Sequence, residues 1–154
     1  MNKKLLDDFN KDIPQKKGDK ISRDGIKKRG IVRFIRSFTF SVSGLLYAYK
    51  YEQSMLVHVL ATICVLAANV FFGVTAIEWL VTILAIGMVL SAELINTAIE
   101  AIVDMVTLEF HPLAKIAKDC GSAATFVLAV MAAAIGCVVY IPYITELLKN
   151  LGVI

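Results

Sequence analysis

The chain has 154 residues, of which 58% are hydrophobic and 19% are charged, and its formal net charge is +3. This length suffices for one domain, and this composition is far from that of an ordinary soluble domain. The sequence contains no GxxxxGK[ST], GxGxxG, HExxH or GxSxG motif, which excludes the common soluble nucleotide-binding and hydrolytic sites.

Residues 1–30 carry ten of the sixteen Lys and Arg residues, together with five aspartates and few apolar side chains. Such a segment buries too little apolar surface to offset its ordering entropy, so we expect a flexible basic tail. The interspersed aspartates and the lack of any nucleic-acid-binding module disfavour a nucleic-acid partner. Anionic lipid head groups are the better partner for this tail.

Residues 31–50 show helical spacing of apolar side chains, with polar ones mostly on the other side. This pattern predicts an amphipathic surface helix that lies in the membrane interface. The apolar positions are Ile31, Phe34, Ile35, Phe38, Val42, Leu45, Leu46 and Tyr49.

Three later segments are long and apolar enough to cross a membrane. We predict spans at about 53–72, 77–105 and 120–146, with a short turn at 73–76 and a polar loop at 106–119. The basic tail and the lysines of the 106–119 loop place both on the cytoplasmic side. The sequence therefore predicts an all-α, multi-pass membrane protein with a cytoplasmic N-terminus.

The second span continues into a stripe of carboxylates. On a helix, Glu93, Glu100 and Asp104 lie within about 20° of one line, and Asn96 lies about 60° to the side. These side chains, Glu52 and the Lys118–Asp119 pair all meet at the predicted cytoplasmic interface. Carboxylates there can hold Mg²⁺ on phosphates and take a hydroxyl proton, and partial desolvation favours Glu93 as the base.

The residues by themselves leave alternatives open. Carboxylates in a helix bundle also line ion or proton pathways, which keeps a small channel or transporter as a hypothesis. A purely structural polar face is a further possibility. A di-iron site is disfavoured because the Glu-x-x-His pairs that such sites use are missing.

The segments AELINTAIEAIVD and LEFHPLAKIAKDCGSAA closely resemble the signature of the prokaryotic diacylglycerol kinase family, and the resemblance extends over about residues 31–145. It implies a homotrimer in a bacterial cell membrane, in which each subunit has a surface helix and three spans. It also implies transfer of the γ-phosphate of Mg-ATP to a lipid hydroxyl, at sites that the subunits share.

The resemblance also implies roles for individual residues. Glu93 matches the catalytic base, and Asn96 matches a residue that orients the base or the substrate. Glu52 and Glu100 match the Mg²⁺ ligands, and Asp104 matches an acid with a supporting role. The positions that match nucleotide-contacting residues of the family are Arg33, Glu109, His111, Lys118 and Asp119.

Within the family, the sequence resembles the Gram-positive branch that phosphorylates undecaprenol. The resemblance rests on Glu52-x5-His58, on the IEWL that opens the second span and on the Ile-Pro-Tyr late in the third. Gln53 and Ser54 depart from the Arg-Asn that is usual in that branch. We therefore expect undecaprenol as the substrate, with diacylglycerol as the alternative lipid.

Overall fold

The computed structural model describes residues 31–153, except for the side chains of residues 32, 33 and 36. The predicted tail 1–30 and the Arg33 side chain lie outside this description. The described residues form four helices and no strand, which confirms the all-α prediction. The helices are α1 (Ile31–Tyr51), α2 (Gln53–Phe72), α3 (Ala76–Val106) and α4 (Pro112–Asn150).

The first part of α1, up to Ser43, belongs to a separate unit from the chain that begins at Gly44. Within it, Thr39 and Ser43 donate their hydroxyls to backbone carbonyls four residues earlier, at 3.3 and 2.9 Å. The Phe34 and Phe38 rings pack with their centroids 6.3 Å apart. The helix is as expected, whereas its location in the membrane interface stays a prediction.

The turn between α2 and α3 comes out where the sequence predicted it. Gly73 ends α2 with a φ of 60°, a backbone conformation that glycine adopts at low cost. Thr75 then caps α3 in a capping box with Glu78. The Glu78 carboxylate also accepts a 2.7 Å hydrogen bond from the Tyr143 hydroxyl, which ties α3 to α4.

The last helix begins earlier than predicted. We expected a polar loop over 106–119 and a span from 120, but α4 begins at Pro112 and the loop is reduced to 107–111. Proline is common in the first turn of a helix. A backbone N–H there would have no acceptor within the helix, so proline loses no hydrogen bond, and its φ is already helical. His111 completes the start as N-cap, its ring accepting from the Leu113 N–H at 3.2 Å.

Three of the helices, α2, α3 and α4, are long and apolar enough to cross a membrane. Helix α3 is the central one. Of its most apolar 18-residue stretch 33% is buried, against 11% of the corresponding stretch in each of the other two helices. Its 31 residues rise about 46 Å, more than the roughly 30 Å of a hydrocarbon core. Helix α3 is therefore longer than one bilayer core needs, as expected from the sequence.

A polar network joins the three long helices at the end remote from Glu93. The fully buried Asn69 of α2 donates to the Thr82 hydroxyl of α3 at 2.8 Å. It also accepts from the Tyr140 hydroxyl of α4 at 2.6 Å. Because an unpaired amide in an apolar surrounding is costly, this network fixes the register of the three helices.

Candidate active site

Glu93 lies on α3 and is only 2% exposed. Its carboxylate accepts a hydrogen bond from the Ser54 hydroxyl at the start of α2. Nε2 of His58, one turn further along α2, lies 4.0 Å from the other carboxylate oxygen. The predicted base is therefore a buried carboxylate that two α2 side chains approach from the same direction.

Glu52 lies between α1 and α2, where an extended backbone (φ −104°, ψ 116°) interrupts the two helices. It occupies the N-cap position of α2 without a side-chain capping hydrogen bond. Burial, and next the negative charges of Glu100 and Glu93, raise the pKa of its carboxyl group above the ordinary value. The three acids thus lie within electrostatic range of one another, so a cation among them is favoured.

The pKa of Tyr47 in α1 is raised as well, by burial and then by the Glu52 charge. Ala48, one residue later, is fully buried and accepts the Glu52 backbone N–H at 2.9 Å. The last turns of α1 therefore border the carboxylates, which the spacing of the sequence did not indicate.

Asn96 and Glu100 are neighbours on α3, and the Asn96 amide donates to the Glu100 carboxylate at 3.0 Å. This bond sets the orientation of the carboxamide, since a carboxylate only accepts. The amide oxygen then points at Gly121 of α4, where an added Cβ would lie 2.4 Å from it. Gly121 is thus what lets Asn96 lie against α4, and it gives the Gly of the AKDCGSAA segment a physical reason.

The two lysines near the start of α4 each lie in an ion pair. Nζ of Lys118 lies 2.5 Å from the carboxylate of Asp104, which is 12% exposed. Lys115 pairs with Asp119 one turn along α4, where both side chains are about 60% exposed. The structure therefore pairs Asp104 with Lys118, the lysine that was expected to bind the nucleotide phosphates.

The loop 107–111 holds the two remaining predicted nucleotide contacts. Glu109 and His111 are both exposed. The Glu109 backbone N–H donates to the Thr107 hydroxyl at 3.1 Å, which shapes the loop. The His111 ring is used in the α4 cap. The contacts of these two residues are thus local to the loop and the helix start, and their nucleotide role stays a prediction.

An apolar cavity of about 530 Å³ extends between α2, α3 and α4. It is lined mainly by small side chains such as Ala61, Ala85 and Ala132, and Tyr140 lies along it. His58, whose Nε2 lies 4.0 Å from Glu93, lines the cavity, as do Val89 and Leu90, about one turn before Glu93 on α3. The cavity and the carboxylates are therefore adjacent.

Among the described residues, no three His, Cys, Asp or Glu side chains converge closely enough to hold a metal by themselves. Mg²⁺ in phosphoryl-transfer sites commonly takes only one or two carboxylates from the protein and the rest of its ligands from phosphates and water. The pair Glu52 and Glu100 fits such a site, with two protein carboxylates, because the Glu100 charge acts on Glu52 and a cation would offset it.

Known proteins match the part of the chain that holds these site residues. The family model described as prokaryotic diacylglycerol kinase matches residues 39–140. An undecaprenol kinase of Bacillus subtilis is 38% identical over 110 residues, which cover 71% of this chain and 89% of the relative. A diacylglycerol kinase of Pseudomonas aeruginosa is 39% identical over 98 residues, 64% of this chain and 80% of the relative.

A diacylglycerol kinase of Haemophilus influenzae is 37% identical over 102 residues, which cover 66% of this chain and 86% of the relative. The matched residues include the carboxylates of α3, the loop 107–111 and most of α4. The chain belongs to the prokaryotic diacylglycerol kinase family.

Proposed function

We propose that the protein is a lipid kinase that transfers the γ-phosphate of Mg-ATP to the hydroxyl of undecaprenol. Family membership supports the kinase activity, and the similarity to the Bacillus subtilis undecaprenol kinase supports the prenol. Diacylglycerol is the alternative substrate, since other relatives are diacylglycerol kinases. The observation that carries the proposal is the buried Glu93 beside an apolar cavity, with Glu52 and Glu100 within electrostatic range.

In the proposed reaction, the lipid hydroxyl oxygen attacks the γ-phosphorus, the bond to the β-phosphate oxygen breaks, and ADP leaves. Glu93 takes the hydroxyl proton, a role that suits a buried carboxylate with few competing water molecules. Glu52 and Glu100 would hold Mg²⁺, which offsets charge on the transferred phosphate. Asn96 orients Glu100 through their hydrogen bond.

Nucleotide binding is assigned to residues around this group. Lys118 is proposed to exchange Asp104 for phosphate oxygens when the nucleotide binds, since both partners offer it negative charge. The family resemblance implies four further nucleotide contacts, which we propose as well: Arg33, Glu109, His111 and Asp119.

The placement in the membrane is also proposed. The turn 73–75 carries no basic residue, whereas Lys115 and Lys118 lie at the end of the bundle that holds the carboxylates. Together with the basic segment 1–30, this asymmetry supports a cytoplasmic active site and N-terminus. We further propose a homotrimer, with α1 as a surface helix.

The test is transfer of labelled γ-phosphate from Mg-ATP in detergent micelles, with undecaprenol and diacylglycerol compared at the same mole fraction. Strong preference for undecaprenol is the expected result. Preference for diacylglycerol would overturn the substrate and leave the reaction intact. Transfer to neither lipid by folded protein would overturn the proposed function.

A further inference from the structure

The contact between Ser54 and Glu93 joins two helices. Ser54 lies in the first turn of α2, two residues after the N-cap residue Glu52. Its hydroxyl donates across the interface to Oε1 of Glu93 on α3. A side chain from one span is therefore used to hold the proposed base of another.

Glu93 needs such a contact if it acts as a base. A glutamate has three rotatable side-chain bonds, and a general base must lie within hydrogen-bond reach of the proton it takes. The 2% exposure of Glu93 leaves little water to satisfy its oxygens. A donated hydrogen bond to the carboxylate both compensates its burial and selects one rotamer.

The two oxygens of Glu93 differ in their surroundings. Oε1 is occupied by Ser54. Oε2 lies on the side of His58, whose Nε2 is 4.0 Å away, too far for a direct hydrogen bond. His58 also lines the apolar cavity, so Oε2 is the oxygen that lies beside a cavity-lining residue.

We propose that Ser54 is a positioning residue for Glu93, fixing the carboxylate through Oε1 so that Oε2 takes the proton of the lipid hydroxyl. The proposal rests on the function proposed above, in which Glu93 is the base. Ser54 itself neither gains nor loses a proton in the reaction. Its hydroxyl keeps its hydrogen while the lipid proton moves to Oε2.

The test measures kcat and KM for ATP and lipid in micelles for Ser54→Ala and Ser54→Thr. Loss of the hydroxyl should lower kcat about tenfold to 100-fold with KM for ATP unchanged, while threonine, which keeps the donor, should retain most of kcat. Ser91→Ala is the matched control, since Ser91 is exposed on α3 two residues before Glu93. It should behave as the wild type.

A second comparison separates positioning from a structural role. If Ser54 acts through Glu93, Ser54→Ala should cause no further loss of kcat in a Glu93→Gln background. An equal loss in both backgrounds would overturn the proposal, as would a kcat within about twofold of wild type in Ser54→Ala. Wild-type turnover in Glu93→Gln alone would instead overturn the assignment of the base, which is a different failure.

Discussion

The contact between Asn96 and Gly121 gives the most demanding test of the site geometry. A Cβ added at Gly121 would lie 2.4 Å from the Asn96 amide oxygen, whereas ordinary contacts begin at 3.4 Å. Gly121→Ala must therefore move the carboxamide by about 1 Å or push α3 and α4 apart. The closest atoms belong to the Asn96 side chain, so the carboxamide should give way first.

Two costs follow from this displacement. Overpacking of a closely packed interface costs about 1–3 kcal/mol in the free energy of unfolding. The displaced amide also weakens its 3.0 Å bond to the Glu100 carboxylate, which is proposed to hold Mg²⁺. A misplacement of about 1 Å in a catalytic constellation lowers kcat by about 100-fold.

The assay is phosphoryl transfer together with thermal unfolding in micelles. Gly87→Ala is the control, because an added Cβ at this helical glycine meets no atom within 4 Å. In the double variant Gly121→Ala/Asn96→Ala, the thermal stability lost through crowding should return while activity stays low. Full activity and unchanged stability in Gly121→Ala would refute the close approach.

Other contacts make separate predictions. Tyr140→Phe removes the 2.6 Å bond to Asn69 and should cost about 0.6–1.7 kcal/mol of unfolding free energy in micelles; no cost would show that the network does not stabilise the bundle. Asp104→Asn breaks the pair with Lys118 and should cost about 1–3 kcal/mol, which chemical denaturation measures; unchanged stability would contradict a stabilising pair. Because the pKa of Glu52 is raised in the folded state, its stabilising contribution is present at low pH and lost as the pH rises through that pKa. Glu52→Gln should therefore melt above the wild type near neutral pH without Mg²⁺, by a margin that shrinks toward about pH 4; a margin independent of pH would contradict this.

The spans and the turn were predictable because their signals are local. Runs without charged side chains mark α2 and α3, and Gly73 marks the turn between them. The start of α4 was missed because Lys115, Lys118 and Asp119 make its first turns look like a polar loop. Pro112 was the available signal, since proline starts helices as readily as it occupies loops.

The site was predictable to the extent that it lies on one helix. The 3.6-residue period places Glu93, Asn96 and Glu100 on neighbouring positions of α3, and their 3.0 Å amide–carboxylate bond agrees with it. The contacts of these residues with Ser54, His58 and Gly121 cross between helices. Such contacts depend on helix packing, which spacing along the chain does not encode.

The most direct measurement of the central claim is turnover and Mg-ATP affinity of Glu93→Gln in the same micelle preparation. Glutamine keeps the shape of the side chain but cannot take the lipid proton. The proposed mechanism predicts a fall in kcat of about 100-fold or more, with Mg-ATP affinity close to that of the wild type. Turnover near the wild-type value would contradict the assignment of Glu93 as the base.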